Sequence, residues 1–222
     1  MIDHVDIMYK IKVMHKDDQK PLNTENKPFS PACERNKEPI LTVLKKVITP
    51  KIKSVLEMGS GTGQHAAYFA PHFSHLNWTT SDVLEHHLGI RMWMSDSNVD
   101  NIVGPVEYQV GKDDFPKGSF DMVYTANTFH IMPWEKVEVF ISQLPSNLKP
   151  NAHVLIYGPF NYNGQFTSES NERFDRNLRE RASHQGIRNF EDVRDKMSEF
   201  NFRIENDYEM PANNRLIHFI KI

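Results

Sequence analysis

The stretch Val55-Leu56-Glu57-Met58-Gly59-Ser60-Gly61-Thr62-Gly63-Gln64-His65 decides how the rest of the chain is read. Ser54-Val55-Leu56 suits a short buried strand, and Ala66-Ala67-Tyr68-Phe69-Ala70 continues as helix. Between them Gly59, Gly61 and Gly63 alternate with other residues. Without a Cβ the backbone turns sharply and lies close to a ligand. The amides that open the following helix then face that ligand. A nucleoside-binding turn is the expectation, with an ordinary strand-to-helix turn as the plain alternative.

The nature of the ligand turns on spacing and charge. The dinucleotide fingerprint carries its third glycine three residues after the second. Counted from Gly61, that position is Gln64. Glu57 sits in the strand end, where a carboxylate repels a pyrophosphate but tolerates a cationic amino-acid ligand or orients loop amides around it. Residues 76–81 read as a second strand that ends at Asp82, about twenty positions beyond the glycines. An acid there accepts hydrogen bonds from ribose hydroxyls; its plain alternative is a cap on the next helix.

Composition narrows the class. A chain of 222 residues with 39% hydrophobic and 25% charged residues suits one α/β domain with a substantial core. A net charge of −3 gives no reason to expect nucleic acid or a membrane surface as partner. The single Cys33 excludes an intrachain disulfide and a C-x-x-C zinc ribbon. His86 and His87 are adjacent and are expected to point apart, which argues against a metal site. No stretch is apolar and long enough to span a bilayer, and the first residues lack signal-peptide order. Cytoplasm is the default expectation.

Outward from the glycines, residues 1 to about 27 read as a polar extension, partly disordered, in which Ile7, Ile11 and Val13 suit a short helix or strand. Ser30 and Pro31 suit the cap and first position of a helix, Pro39 the start or kink of the next, and Thr49-Pro50 its end. Residues 84–94 read as helix and 103–110 as a third strand with Pro105 at its start. Residues 120–127 make a strong fourth strand, 133–144 a helix and 153–158 a fifth strand. Two more helices follow, from Ser168 towards His184 and from Asn189 to Phe200. Residues 202–210 and 215–222 close the chain as strands joined through Pro211-Ala212-Asn213-Asn214. Strand and helix alternate, so the sheet is expected to be parallel with right-handed crossovers.

The glycine pattern resembles motif I of the class I S-adenosylmethionine (SAM) methyltransferases. Five stretches narrow the resemblance: Ser30-Pro31-Ala32 with Glu34-Arg35-Asn36-Lys37-Glu38-Pro39-Ile40; residues 57–65; residues 126–134; Tyr157-Gly158-Pro159-Phe160-Asn161 with residues 164–171; and Met210-Pro211-Ala212-Asn213-Asn214-Arg215. Together they are similar to the family called methyltransferase-like protein twenty-six in animals and carried as a domain of unknown function by bacteria. The resemblance spans the chain from Ser30 to its end. It implies a Rossmann-like class I methyltransferase fold: a seven-stranded, mostly parallel sheet with its last strand antiparallel, helices on both faces, in one domain over residues 28–222. It implies SAM as cofactor at the carboxyl ends of the first strands. Gly59, Gly61 and Gly63 would pass the methionine and ribose parts, with Glu57 ordering the loop. Asp82 would take the ribose hydroxyls, and Asn127 lies where the fourth strand meets the cofactor. The family usually carries an Asp near the adenine amine; Gln109 stands there, and its side-chain oxygen can still accept that N–H.

Methyl transfer is an in-line displacement that needs alignment and, for some acceptors, a base. His130, Tyr157 and Asn161 are the candidate catalytic groups at the strand ends, His130 as proton acceptor. Each has a structural alternative: a hydrogen-bonded core histidine, or a strand tyrosine with a satisfied hydroxyl. Arg35 and Asn36 are candidate substrate-binding residues on an N-terminal lid, Arg35 for a carboxylate. The function expected is methyl transfer to a small or medium-sized acceptor. A non-catalytic SAM-binding or interaction module is the alternative, and a nicotinamide-dependent oxidoreductase a weaker one.

Overall fold

The computed structural model describes residue 24 and residues 26–222. The expectation for residues 7–13 lies outside the described residues. Helix α1, Pro31–Val47, starts where the sequence places it: the Ser30 hydroxyl accepts from the Cys33 amide at 3.4 Å, and Pro31 fills the first turn. Pro39 neither starts nor visibly ends a helix; α1 runs through it. A proline removes the donor for the carbonyl four residues back. That carbonyl belongs to Arg35, an exposed residue, where water can take the bond.

Strand β1 (Ser54–Met58) leads through the glycines into α2 (Gln64–Phe69). β2 (Asn77–Asp82) is followed by a 3-10 turn at Leu84–His86 and by α3 (His87–Ser97). β3 (Ile102–Glu107) is one of the two edge strands; Pro105 lies inside it rather than at its start, beside a register shift against β2. An edge tolerates a proline because one of its sides makes no ladder bonds. β4 (Phe120–Ala126), α4 (Trp134–Asn147) and β5 (Leu148–Gly158) continue the alternation. The short strands β6 (Phe160–Asn161) and β7 (Arg188–Asn189) pair with each other, which the sequence did not announce. Helices α5 (Glu169–Arg181) and α6 (Phe190–Glu199) precede the closing hairpin of β8 (Phe202–Met210) and β9 (Asn214–Lys221).

The sheet has seven strands in the order β3-β2-β1-β4-β5-β9-β8. β1 to β5 are parallel, and β9 runs antiparallel to both β5 and β8. Side chains alternate across it. Val55, Tyr124, Leu155 and Tyr157 join the core beneath α1 and α2. Leu56, Met58, Val123, Val154 and Ile156 join the core beneath α4 and α6. The strand order reverses between β1 and β4, so the carboxyl ends of these two strands open a crevice there. Among the described residues no helix is long and apolar enough to cross a membrane.

Candidate functional site

The three glycines do three different things. All have positive φ: +72, +58 and +89 at Gly59, Gly61 and Gly63. A Cβ on Gly59 would come 2.5 Å from Thr128 Cγ2, and one on Gly63 would come 2.8 Å from Ile90 Cα. These two let the loop lie against the β4 end and let α2 lie against α3. A Cβ on Gly61 would meet nothing within 4 Å among the described residues. Gly61 therefore faces the open side of the crevice.

The loop is held by β2. The Gly59 and Ser60 amides both donate to the Ser81 carbonyl at 3.0 Å. The Gly61 amide donates to Asp82 Oδ2 at 2.6 Å. Asp82 is buried, and its Oδ1 accepts from the Val83 amide at 2.7 Å and faces His86 Nδ1 at 2.9 Å. His87 does not point away as expected: its Nε2 reaches the Asp82 carbonyl at 3.1 Å, so both histidines close on one residue. A carboxylate offers about four lone-pair directions, so Asp82 keeps capacity for a further donor.

Glu57 meets the loop through Ser60, whose hydroxyl lies 3.4 Å from the Glu57 carbonyl. Its carboxyl points beneath α1 and α2 and accepts from Trp78 Nε1 at 3.0 Å. Burial raises its pKa to about 7, against the Trp78 and Ser60 hydrogen bonds that favour the anion. Asn127, at the end of β4, has φ +59, donates its amide to the Tyr157 carbonyl at 2.8 Å and is half-buried. Gln109 is exposed beyond β3 in a turn where its amide donates to Asp113 Oδ2 at 2.7 Å.

Gln64, the residue standing where a dinucleotide site carries glycine, clamps the lid. Its Oε1 accepts the Ser30 amide and its Nε2 donates to the Ser30 carbonyl at 3.4 Å. Ahead of the lid, the Lys27 ammonium lies 3.9 Å over the Trp93 ring, and Trp93 Nε1 donates to the Pro28 carbonyl at 2.7 Å. Further along α1, a buried polar row begins. Burial lowers the His65 pKa to about 3, so its ring is neutral and carries one N–H. That N–H is at Nε2, because Asn36 Oδ1 sits 2.7 Å away as acceptor; Tyr124 then donates to Nδ1 at 3.3 Å. Asn36 also faces the Tyr157 hydroxyl. Burial raises the Tyr157 pKa, while Asn36 and the Arg35 charge act the other way. Arg35 itself is exposed. The expected pair on the lid thus splits: Asn36 turns inward to Tyr157, and Arg35 faces outward.

His130 lies on the opposite side of β5. A Cβ on Gly158 would sit 3.6 Å from its Nδ1, and Gly158 and Tyr157 project to opposite faces. The ring meets Phe174 of α5 edge-on at 5.4 Å. Burial, with the Arg188 charge, lowers its pKa to about 4, so it is neutral at pH 7. Arg188 staples the loop that carries it, donating to the Phe129 carbonyl at 3.0 Å, to Met132 and to the His184 carbonyl at 2.9 Å. Gly186 donates to the His130 carbonyl at 2.9 Å. Asn161 is buried on β6, and among the described residues no donor reaches its Oδ1. His130, Tyr157 and Asn161 therefore do not form one contacting triad; they surround the end of β5 from both faces. Gln64 and Arg188 are the residues that sequence reasoning passed over. Gln64 stood out only as a break in the glycine spacing, and Arg188 carried no local signal.

The strand order, the glycine loop and the acid at the end of β2 define a class I methyltransferase-like fold. An O-methyltransferase family protein from Burkholderia thailandensis has a TM-score of 0.73 at 13% identity over 83% of this chain and 56% of its own. An O-methyltransferase family 2 protein from Planctomyces limnophilus, solved with apigenin, gives 0.73 at 13% over 100% and 62%. CalO1, a methyltransferase in calicheamicin biosynthesis solved with S-adenosylhomocysteine, gives 0.68 at 12% over 84% and 54%. The chain thus spans between half and two thirds of the length of these structures. The chain belongs to the family described as "Protein of unknown function (DUF938)", whose model matches residues 27–221.

Proposed function

We propose that this chain is a SAM-dependent methyltransferase acting on a small or medium-sized acceptor. One observation carries the reading: Gly61, anchored to Asp82, is the loop glycine with open space before it. The residues fit the cofactor. Gly59, Gly61 and Gly63 would pass its amino-acid and ribose parts, Asp82 would use its remaining lone pairs on ribose hydroxyls, and Asn127 and Gln109 would flank it. Glu57, with a pKa of about 7, carries a partial charge near neutrality below that loop. When bound, SAM supplies an electrophilic methyl group on a sulfonium sulfur. The neutral ring of His130 can accept a hydrogen bond from an acceptor group at the end of β5 and so orient it, its pKa of about 4 making it a weak base at neutral pH, and Asn161 Oδ1 can accept a hydrogen bond from the same group. Tyr157 faces Asn36 beneath the lid and would orient that side of the site. The solved methyltransferases of the same fold support the reading, as do the motifs similar to the animal methyltransferase-like protein twenty-six family. Residues 28–222 form the methyltransferase domain in this account.

Gln64 argues against a nicotinamide site, because the dinucleotide fingerprint needs a glycine at that position for close helix–strand packing, and here a glutamine side chain stands there, bonded to the Ser30 backbone. The separation of His130 and Tyr157 on two faces of β5 favours a second reading, a SAM-binding module without turnover. Incubation with methyl-tritiated SAM and a panel of amines, phenols and carboxylates tests this choice. Label transfer with release of S-adenosylhomocysteine is expected, and His130→Ala should slow it. Tight SAM binding with no transfer to any acceptor class would favour the module.

A further inference from the structure

Glu57 is 2% exposed at the end of β1, and its carboxyl has few partners for a group that can carry charge. Trp78 Nε1, from β2, donates to it at 3.0 Å, and the Ser60 hydroxyl faces it from the glycine loop. A carboxylate has about four lone-pair directions, so two donors leave part of its capacity unmet. The other elements packed around it bring no cation. From α1 comes the Cys33 thiol, from β4 the Tyr124 hydroxyl, and from the end of β2 the Asp82 carboxylate. Burial raises the Cys33 and Tyr124 pKa values, so both groups keep their protons. His65 of α2, which meets Tyr124 at 3.3 Å, is neutral. The one charge among the described residues that bears on Glu57 is therefore Asp82, and its sign is the same. A buried carboxyl with no cation beside it holds a proton more readily than it stands as an anion.

The carboxyl lies close behind the loop. Glu57 precedes Gly59 by two residues. Cys33, half-buried on the lid, faces both Glu57 and the Thr62 hydroxyl. Thr62 follows Gly61, the loop glycine with open space before it. Cys33 thus spans from the Glu57 carboxyl to the part of the loop that a cofactor would meet. SAM and S-adenosylhomocysteine share their amino-acid and adenosine parts. They differ by one methyl group and by the positive charge on sulfur. In a water-poor interior such a charge acts on a carboxyl several ångströms away far more strongly than it does in water.

We propose that Glu57 distinguishes SAM from S-adenosylhomocysteine by charge: it gives up its proton when a sulfonium occupies the loop and takes one back once the methyl group has left. The inference rests on the methyltransferase reading. As SAM binds, the Glu57 O–H bond breaks, the proton passes to solvent, and the carboxylate supplies the counter-charge that the site otherwise lacks. After transfer the sulfur is a neutral thioether. Glu57 is again without a cation, recovers a proton from solvent, and no longer favours the ligand, which speeds release of the product. Glu57 is a specificity residue in this account, acting through charge and not through contact with the reacting atoms.

The test is calorimetric titration of the full chain with SAM and with S-adenosylhomocysteine in buffers of different ionisation enthalpy, which counts the protons exchanged. A sulfonium that lowers the Glu57 pKa by about one unit releases about half a proton per SAM at pH 6.5, and S-adenosylhomocysteine should release less than about half of that. The amino group of each ligand titrates near pH 8 in its own right, so affinity profiles are read against Glu57→Gln, whose amide oxygen still accepts from Trp78. Relative to that variant, the wild type should bind SAM about fivefold more weakly at pH 6 than at pH 8, and S-adenosylhomocysteine less than about twofold more weakly. Equal proton release by the two ligands, or a release on SAM binding that Glu57→Gln retains, would overturn the proposal. If Glu57→Gln does not fold, the contrast between the two ligands on the wild type decides alone. If neither adenosyl ligand binds, the methyltransferase reading falls and this inference with it; if both bind with the same proton count, this inference alone falls.

Discussion

The Gly61 amide donates to Asp82 Oδ2 at 2.6 Å, joining two residues 21 positions apart. This bond holds the glycine loop on the end of β2 in the conformation that a cofactor would meet.

Asp82→Ala and Asp82→Asn should therefore part company. Alanine leaves the Gly61 and Val83 amides without their acceptor and should cost about 1–3 kcal/mol of stability. Asparagine keeps an acceptor oxygen and loses the charge. It should melt close to the parent and bind S-adenosylhomocysteine about tenfold more weakly, since bonds to a charged acceptor are the stronger ones. Thermal melts and calorimetry on the two variants read these effects separately.

Gln64→Ala should loosen the lid without disturbing the sheet. It removes both bonds to the Ser30 backbone, and about 1–3 kcal/mol of local stability should go with them. Hydrogen exchange should quicken in the first turns of α1, while the β1 and β4 amides keep their protection. Equal loss of protection in β1 would count against a clamp confined to the lid.

Glu57 should make stability fall as pH rises. Its folded pKa of about 7 stands above the ordinary 4.5, so the folded state holds a proton that the unfolded state has released. The stabilisation is full below pH 4.5 and is lost as pH rises through 7. The shift corresponds to about 3 kcal/mol. His65 and His130, with folded pKa values of about 3 and 4, act in the opposite sense: their contribution is present above pH 6.5 and lost on acidification through those values. The wild type should therefore be compared with Glu57→Gln by urea unfolding at each pH. Relative to the variant, it should weaken steadily between pH 4.5 and 7. A constant difference would refute the buried proton.

Arg188→Met should change how His130 titrates. The guanidinium holds the carbonyls of the loop after β4, and its charge helps keep the imidazole neutral. Without it the His130 pKa should rise from about 4, with burial still keeping it below 6.5. Ring carbon shifts followed by NMR across pH 3–8 measure this. Arg188→Lys should restore part of the shift, because it returns the charge without the fork of donors.

Much of this architecture was readable from local pattern. The apolar run at residues 54–56, the glycines and the acid about twenty positions later announce β1, the loop and the end of β2, and the Asp82–Gly61 bond is the physical form of that spacing. What was not readable depended on partners distant in sequence. Pro39 passes inside α1, where Arg35, the residue whose carbonyl loses its donor, is exposed, which the dipeptide alone does not reveal. Two-residue strands such as β6 and β7 show no period. Gln64 finds Ser30 across 34 positions, and His86 and His87 converge because a 3-10 turn brings both back to Asp82. That His130 and Tyr157 stand on opposite faces of β5 follows from strand alternation, but only once Gly158 is seen to be the residue His130 packs against.

The most direct measurement is a calorimetric titration of the purified chain with SAM, S-adenosylhomocysteine and NAD, with Gly61→Arg as control. A Cβ on Gly61 meets nothing within 4 Å among the described residues, so the cost of an arginine there starts from the strain of a positive φ, about 1–3 kcal/mol. The account predicts micromolar binding of both adenosyl ligands, none of NAD, and loss of binding in a control that still folds by circular dichroism. Saturable binding of NAD without SAM, or adenosyl binding unchanged by Gly61→Arg, would contradict it.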